Sequence, residues 1–197
     1  MHKIKGELQN LPKILEALNA GPVVLPTETL YALVAPVSNK SLFDSVYALK
    51  NMKMTTASPI GFYGLRDMEK YCKMDEKSKN IVRKLMPGPL TLILEAKTEG
   101  HWVVNGKIAA RISSNSLVRE VARNVGPITL IGANLRGFKL SSDLGEIMAQ
   151  FGDKVKLYVD GGVLTGNPST IYDFKSKTLI REGSISLKEI RGAEDGI

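Results

Sequence analysis

Short polar side chains lie beside apolar runs at three points in the chain. Thr27 and Thr29 follow the run 23–25, the residues 132–134 (Gly-Ala-Asn) follow another run, and Ser169 precedes a third. Ligands in open α/β sheets bind outside strand ends, where loops present backbone N–H groups and short polar side chains. The same residue types also hydrogen-bond to nearby backbone in turns and helix caps. The spacing therefore predicts either a ligand pocket at strand ends or a set of local turns.

Other signals for chemistry in the sequence are weak. Neither glycine-rich phosphate loop, GxGxxG or GxxxxGK(S/T), is present, which disfavours dinucleotide-binding and P-loop folds. His2 and His101 have no partner at metal-ligand spacing, so we expect no protein-ligated metal. Cys72 is the single cysteine and has no histidine near it in sequence to act as a base. Its spacing indicates a residue on a helix face more than a nucleophile.

The composition predicts one cytoplasmic domain over residues 1–197. Hydrophobic residues make up 43% of the chain, which is enough for one buried core, and no linker-like stretch divides it. No run is long and apolar enough for a membrane span or a signal peptide, and a single cysteine suits a reducing compartment. The net charge of +7 favours an anionic partner such as nucleotide, phosphate or RNA. A solvated surface with a lysine bias explains that charge equally well.

Strand and helix patterns alternate along the chain, which predicts an α/β domain with a mixed sheet. Strands are predicted at 23–25, 30–37, 60–63, 90–95, 107–112, 128–131, 157–160, 170–173 and 178–181. Helices are predicted from the cap Asn10 to the stop Gly21, over 42–50 and 67–72, from the cap Asp75 to Pro87, over 116–124, and after Ser141 and Ser142. The polar residues described above thus lie at strand ends.

Seven short blocks occur in an order and spacing that resemble one known family. They are PTETLYAL (26–33), YALK (47–50), PGPLTLIL (87–94), ARI (110–112), GANLRG (132–137), NPSTIYD (167–173) and IREGSI (180–185). They resemble the blocks PTETxYGLG, YxxKGRPxxxPL, PGPxT, VRxP, SANxSG, PSTxxD and RxG of the YrdC family of threonylcarbamoyl-AMP synthases. The resemblance covers nearly the whole chain.

The resemblance implies a fold and an activity. The fold is a single YrdC-like domain, an open twisted mixed sheet with flanking helices and a concave basic cavity. The activity is that of a nucleotidyltransferase, an L-threonylcarbamoyladenylate synthase that makes threonylcarbamoyl-AMP and pyrophosphate from threonine, bicarbonate and ATP. ATP is expected as a substrate with Mg²⁺. The implied partners are tRNA or double-stranded RNA and a downstream threonylcarbamoyl transferase complex, which modifies an adenosine beside the tRNA anticodon.

The resemblance also implies roles for residues at matching positions. The residues expected to bind threonine are Thr27, Arg111, Gly132 and Ser169. Those expected to bind ATP are Lys50, Asn134, Ser142 and Arg181. Lys50 and Arg111 are expected to be catalytic, because they neutralise charge while the carbamate is oriented against the α-phosphate. The alternative for these residues is structural, as helix-end charges, surface ion pairs or an N-cap, and Glu28 stays between a structural and a catalytic role.

The chain departs from the family pattern at four of these blocks. YGLG reads Tyr31-Ala-Leu-Val34, and VRxP reads Ala-Arg111-Ile-Ser without its proline. The other two departures concern groups expected to bind the substrates. Where the family has KGRP, this chain has Lys50-Asn51-Met52-Lys53, so Met52 replaces a phosphate-binding arginine. Lys53 offers only a point charge from another direction. Gly132 replaces the serine of SAN and removes a hydroxyl group from the expected threonine pocket. Two interpretations stay open: an active synthase with a compensated site, or a diverged member that binds nucleotide or RNA with little or no synthase activity.

Overall fold

The computed structural model describes residues 2–55, 57–139, 141–164 and 166–196. Within these ranges the strands are β1 (Lys3–Lys5), β2 (Val23–Pro26), β3 (Tyr31–Val34), β4 (Pro59–Gly61), β5 (Leu90–Glu95), β6 (Lys107–Arg111), β7 (Ile128–Thr129), β8 (Ile131–Gly132), β9 (Leu157–Asp160), β10 (Thr170–Asp173) and β11 (Thr178–Arg181). The helices are α1 (Leu11–Ala20), α2 (Lys40–Leu49), α3 (Leu65–Tyr71), α4 (Glu76–Leu85), α5 (Ser116–Val125), α6 (Leu144–Phe151) and α7 (Leu187–Glu194). None of these helices has the length and apolar character needed to cross a membrane.

The strands form two mixed sheets. One has the order β1-β9-β2-β3-β8, and the other has the order β11-β10-β5-β6-β4-β7. Parallel pairs such as β2 with β9 and β4 with β6 occur beside antiparallel pairs such as β2 with β3 and β5 with β6. The predicted α/β class with mixed strand directions is therefore confirmed, with the strands divided between two sheets where one was expected.

The two sheets meet where residues 128–132 pass from one sheet to the other. The apolar pattern predicts a single strand here, but β7 pairs with β4 while β8 pairs with β3, and the partner changes at Leu130. The Thr129 hydroxyl strengthens this junction, because it donates to Leu33 O at 3.0 Å and accepts the Ala35 N–H at 2.9 Å. Periodicity does not reveal the crossing, since residues on both sides of it are buried.

The apolar side chains form two clusters, one on each face of the five-stranded sheet. The smaller cluster includes Val23 and Leu25 of β2 together with side chains of α1 and α5, whereas Val24 belongs to the larger cluster. The larger cluster lies between the sheets, because it also contains Leu92 of β5 and Ile108 of β6. Alternate residues of a strand point to opposite faces. Strand β2 is thus buried on both faces, which explains its continuous apolar run.

The loop before α6 differs from its prediction. The helix begins at Leu144, and its cap is Asp143, whose carboxylate accepts the Glu146 N–H at 3.1 Å. Ser142 therefore does not cap the helix. Its carbonyl oxygen accepts the Leu164 N–H at 3.1 Å, which ties this loop to the segment after β9.

The predicted start signals of α1 and α4 have different outcomes. Asp75 caps α4 as predicted, since its side chain accepts the Ser78 N–H at 2.8 Å. Pro12 lies in the first turn of α1, where a missing backbone N–H costs no helical hydrogen bond. Asn10 makes no capping bond, however, because its side chain donates to Lys5 O at 2.9 Å instead.

Two elements, β1 and α7, were not predicted. Strand β1 is only three residues long and depends on its parallel pairing with β9, which no local pattern reveals. Helix α7 does carry a local signal. Ser186 and Glu189 form a capping box, in which each side chain accepts the backbone N–H of the other residue.

Candidate functional site

The PTET residues form the tight turn that joins β2 to β3. Because these strands are antiparallel neighbours, residues 27–30 make the whole connection. The Thr27 hydroxyl donates to Leu30 O at 2.6 Å and accepts the backbone N–H groups of Thr29 and Leu30, each at 3.1 Å. Thr27 is buried, and its hydroxyl group holds the turn.

Glu28 and Thr29 reach from this turn to Arg111, the last residue of β6. Arg111 Nη2 donates to Glu28 Oε1 and to Thr29 Oγ1, both at 2.9 Å. The Ser113 hydroxyl donates to the other Glu28 oxygen. Burial pushes the pKa of Glu28 upward, but the Arg111 charge and the Ser113 hydrogen bond outweigh burial and hold that pKa below its ordinary value. Glu28 is therefore ionised at neutral pH and fixes the position of Arg111.

Arg111 keeps a donor available for a ligand. The residue is 4% exposed, and among the described residues its Nε atom has no hydrogen-bond partner. Leaving a buried donor unpaired costs roughly 1–3 kcal/mol. An N–H of a charged guanidinium group makes a strong hydrogen bond to a carboxylate or phosphate oxygen. The Arg111 side chain is thus prepared to bind an anion.

Lys50 follows α2 directly and reaches the loop after β8. Its ammonium group donates to Gly132 O at 2.8 Å, to Asn134 Oδ1 at 2.5 Å and to Asn134 O. The Asn134 amide in turn donates to Phe138 O at 2.7 Å. Burial lowers the pKa of Lys50 to about 8, and no carboxylate in the described part of the chain counters that shift. The Lys50 charge is therefore fixed to this loop and lacks an acidic partner there.

Ser169 and Arg181 form a third group of contacts. Ser169 directly precedes β10 and is buried, and its hydroxyl lies 3.0 Å from the hydroxyl of Thr91. Arg181 ends β11 and donates from Nε to Ser169 O at 2.9 Å and from Nη2 to Ser169 Oγ at 3.1 Å. Burial, and after it repulsion by Arg111, lowers the pKa of Arg181. The two guanidinium groups are thus close enough to interact.

These groups surround a cavity of about 270 Å³, called the inner cavity below. The predicted site residues that line it are Thr27, Lys50, Arg111, Gly132, Asn134, Ser169 and Arg181. Three of them are cations, and no aspartate or glutamate of the described residues lines the cavity. Ser142 lies in the loop before α6 and is not part of this lining.

The structure adds residues to which the sequence analysis gave no role. Ser113 and Thr91 hold Glu28 and Ser169 through their hydroxyl groups, and the buried Ser58 lines the inner cavity. Thr91 had a signal in the sequence, because it is the threonine of the PGPxT block and stands in the run 90–94, whose other residues are apolar. Ser113 and Ser58 lie in loops, where serine is too common to indicate a role.

Met52 lines the inner cavity and brings no charge to it. An adjoining cavity of about 520 Å³, called the outer cavity below, shares Lys50, Met52 and Asn134 with the inner one. Lys53 and Arg136 also line the outer cavity. Cationic side chains are therefore present next to the position where Met52 departs from the family pattern.

The described residues offer neither a metal site nor a reactive thiol. No group of three or more His, Cys, Asp or Glu side chains in these ranges could hold a metal ion. Cys72 is buried, and burial raises the pKa of its thiol to about 12. The thiol is therefore protonated at neutral pH, as expected for a structural cysteine.

Comparisons with known proteins give one consistent result. The family model Sua5_yciO_yrdC, described as telomere recombination, matches residues 16–183. A Methanocaldococcus jannaschii protein with the provisional name threonylcarbamoyl-AMP synthase is 30% identical over 179 residues, which are 89% of this chain and 86% of that protein. The threonylcarbamoyl-AMP synthase of Aliivibrio fischeri is 27% identical over 187 residues, which are 89% of this chain and 100% of that protein.

The fold also matches a solved structure. The crystal structure of P. abyssi Sua5 complexed with L-threonine superposes with a TM-score of 0.88 at 21% sequence identity. The match covers 98% of this chain and 59% of that longer chain. At this level of identity the match establishes the fold.

Proposed function

The chain belongs to the Sua5/YciO/YrdC family, and on that premise we propose that it is an L-threonylcarbamoyl-AMP synthase, a nucleotidyltransferase. The reaction joins threonine, bicarbonate and ATP into threonylcarbamoyl-AMP and releases pyrophosphate and water. One observation carries this proposal. The inner cavity has three cations and, within the described residues, no carboxylate in its lining, which suits a carboxylate and a triphosphate bound side by side.

In this proposal Arg111 binds the carboxylate of threonine. Its Nε atom has no partner among the described residues, while Nη2 is held by Glu28 and Thr29. The Ser169 hydroxyl lines the same cavity and supplies a polar partner for the hydroxyl or ammonium group of threonine. Thr27 contributes by shaping the turn, since its hydroxyl is already bonded to backbone. Gly132 lines the same cavity without a side-chain hydroxyl, and Lys50 holds its carbonyl oxygen.

Lys50, Asn134 and Arg181 bind the nucleotide. Lys50 donates to one oxygen at the end of β8 and to two oxygens in the loop after it, so it acts through its charge and not as a free donor. Arg181 presents a guanidinium group suited to phosphate or to stacking on adenine. Ser142 is left out of these contacts, because it does not line the inner cavity. Mg²⁺ enters with ATP and neutralises phosphate charge.

The proposed chemistry needs no covalent intermediate on the protein. The threonine nitrogen bonds to the carbon of bicarbonate with loss of water, and a carbamate oxygen attacks the α-phosphorus of ATP. The bond from this phosphorus to the bridging oxygen breaks, and pyrophosphate leaves with the electron pair. The chain contributes by holding the carbamate against the α-phosphate and by neutralising charge as it develops.

The product is a mixed anhydride and therefore needs an acceptor. We propose that a separate threonylcarbamoyl transferase complex uses it in the cytoplasm to modify a tRNA adenosine. Binding of tRNA or double-stranded RNA to this chain itself is supported only by the net charge of +7.

Pyrophosphate release from the purified chain with Mg-ATP and bicarbonate, with and without threonine, tests the proposal. Chromatography identifies the nucleotide product in the same samples. We expect threonylcarbamoyl-AMP to form only when threonine is present. Pyrophosphate release that does not depend on threonine, or product from another amino acid, would contradict the assigned activity.

Replacing Arg111 by Lys tests the assigned threonine contact. Lysine keeps the charge but cannot hold Glu28 and Thr29 through one nitrogen while a second N–H binds the carboxylate. We expect R111K to raise the KM for threonine roughly 10- to 100-fold, the effect of losing one or two charged hydrogen bonds, and to change the KM for ATP much less. Steady-state kinetics with each substrate varied in turn measures both constants. Equal changes in the two constants would show that Arg111 does not bind threonine.

The lining of the inner cavity by Met52 supports a second candidate function, that of a diverged family member. An apolar side chain stands where the family pattern has a phosphate-binding arginine. In that case the chain binds nucleotide or RNA and makes little or no product. ATP binding without threonine-dependent product, under conditions in which the Aliivibrio fischeri relative is active, would identify this second function.

A further inference from the structure

The outer cavity carries two cations, Lys53 and Arg136, that have no role in the proposed chemistry. It is lined by Lys50, Met52, Lys53, Asn134, Arg136 and Gly137. Three of these residues are cations, and no aspartate or glutamate of the described ranges is part of the lining. Three cations facing one space repel each other, so an anion with several charges would be stabilised there.

Arg136 lies beside the segment in which the family arginine is missing. Its Nη1 atom donates to Asn51 O at 3.3 Å, next to Met52 in the chain. This contact is long, and Arg136 forms no ion pair within the described ranges. Most of its N–H donors are therefore available to a ligand. The left-handed backbone of Gly137, with φ +89°, turns the chain directly after Arg136.

Lys50 lies between the two cavities and contributes its positive charge to both. It lines both of them, and its three bonds to Gly132 and Asn134 fix the start of the loop that presents Arg136. Lys53 lines the outer cavity from the segment after α2. Cations from two chain segments thus converge on one concave space.

We propose that the outer cavity binds the β- and γ-phosphates of ATP and that Arg136 supplies the guanidinium group that the family motif carries at the position of Met52. This inference rests on the proposed function, because the inner cavity must hold the α-phosphate. Lys53 adds a second, weaker contact as a point charge. A compact concave site with converging cations fits a polyphosphate better than the extended backbone of RNA.

Binding of Mg-tripolyphosphate and of AMP to the full chain, measured separately by calorimetry, tests this inference. Arg136→Gln should weaken tripolyphosphate binding roughly 10- to 100-fold, the effect of losing charged hydrogen bonds, and leave AMP binding unchanged. Arg136→Lys should fall between this variant and the wild type, because it keeps the charge and loses the planar fork. Arg66→Gln is the matched control, since Arg66 is an exposed arginine that lines neither cavity. It should bind tripolyphosphate as the wild type does.

Several outcomes would overturn the inference. Equal effects of R136Q and R66Q would mean that only net charge matters. A wild-type chain that binds AMP but not tripolyphosphate would mean that the outer cavity is not a phosphate site. If R136Q weakens binding of a short double-stranded RNA and leaves tripolyphosphate binding unchanged, the cavity contacts RNA. Arg136 is exposed, so its variants should melt at the wild-type temperature, and melting curves check this.

Failure of the inference can be distinguished from failure of the proposed function, because tripolyphosphate binding requires neither threonine nor turnover. A chain that makes no threonylcarbamoyl-AMP but loses tripolyphosphate affinity on R136Q would contradict the synthase proposal and support the phosphate site. If the chain makes product and R136Q keeps full tripolyphosphate affinity, the synthase proposal is supported and the phosphate site is contradicted.

Discussion

Glu28 and Arg111 form a buried ion pair in which each charge depends on the other. Their side chains are 15% and 5% exposed, and Glu28 Oε1 lies 2.9 Å from Arg111 Nη2. Removing one partner of such a pair leaves an uncompensated buried charge, which is more costly than the net value of the pair suggests. Glu28 is therefore a positioning residue for Arg111.

Replacing Glu28 by Gln keeps the size of the side chain and removes its charge. We expect E28Q to lower the free energy of unfolding by about 1–3 kcal/mol at neutral pH. Folding lowers the pKa of Glu28, so its stabilising contribution is present above the unfolded pKa and is lost as the pH falls through the folded pKa. The difference between the wild type and E28Q should therefore be constant from neutral pH down to the unfolded pKa of about 4.3 and should shrink over the acidic range below it. Urea denaturation across this range measures it, and a constant difference would show that the charge has no role.

Lys50 should take up a proton when ATP binds. Burial lowers its pKa to about 8, and a nearby triphosphate would raise that pKa again. At a pH near 8, part of the free protein has a neutral Lys50, so ATP binding should be coupled to proton uptake. Lys50→Arg keeps the charge but does not titrate in this range, so the uptake should disappear. Calorimetry in two buffers with different ionisation enthalpies measures the uptake, and an equal value in K50R would assign it to another group.

At the scale of elements, the segment between β9 and β10 packs closely on the PTET turn. The Tyr31 hydroxyl donates to Gly162 O at 2.7 Å and accepts the Gly161 N–H at 2.9 Å. A Cβ atom on Gly166 would lie 2.5 Å from Thr29 Cα and 2.6 Å from Thr29 O. Backbone meets backbone at this point, so only a residue without a side chain fits.

Gly166→Ala should disturb the turn that carries Glu28 and Thr29. We expect G166A to lower the free energy of unfolding by about 1–3 kcal/mol, as overpacking does. Gly192→Ala is the matched control, because a Cβ atom there meets nothing within 4 Å and Gly192 lies in α7. Alanine in a helix should raise stability by roughly 0.5–1 kcal/mol. Urea denaturation of both variants compares the two effects. An unchanged or higher free energy of unfolding for G166A would show that the contact with Thr29 does not exclude a Cβ atom.

At the scale of the whole molecule, the inner cavity lies where the two sheets meet. Glu28 and Thr29 belong to the hairpin of the five-stranded sheet, and Arg111 ends a strand of the six-stranded sheet. The ion pair that prepares the site therefore also links the two sheets. Ser169 and Arg181 approach from the six-stranded sheet as well, at the ends of β10 and β11.

Thr129→Val should weaken this junction. The Thr129 hydroxyl is buried and bonded to Leu33 O and the Ala35 N–H, so valine removes both bonds and takes away the acceptor of the Ala35 N–H. We expect a loss of about 1–3 kcal/mol in the free energy of unfolding. Thr178→Val, at an exposed threonine of β11, should change it by less than about 0.5 kcal/mol. Thermal and urea denaturation measure the stability of both variants. Equal effects would show that the Thr129 hydroxyl does not stabilise the junction.

The sequence alone determined the α/β alternation and most of the polar side chains that line the inner cavity. Strands β5 and β10 and helix α4 follow from local periodicity and from caps such as Asp75, which act within a few residues. Lys50, Arg111 and Ser169 were identifiable because they stand at element ends within ordered blocks. The switch of partners at Leu130 had no such signal, since a buried run has the same pattern in either sheet.

Only the tertiary structure decided how these groups are used. Glu28 pairs with Arg111, Lys50 is bonded to the loop at Asn134, and Arg136 reaches Asn51, all across large separations in sequence. Local propensity concerns neighbours within a few residues, whereas these contacts depend on how two sheets pack around one core. The sequence therefore determined which charges are available, and the packing of the sheets determined which of them are paired and which face the cavities.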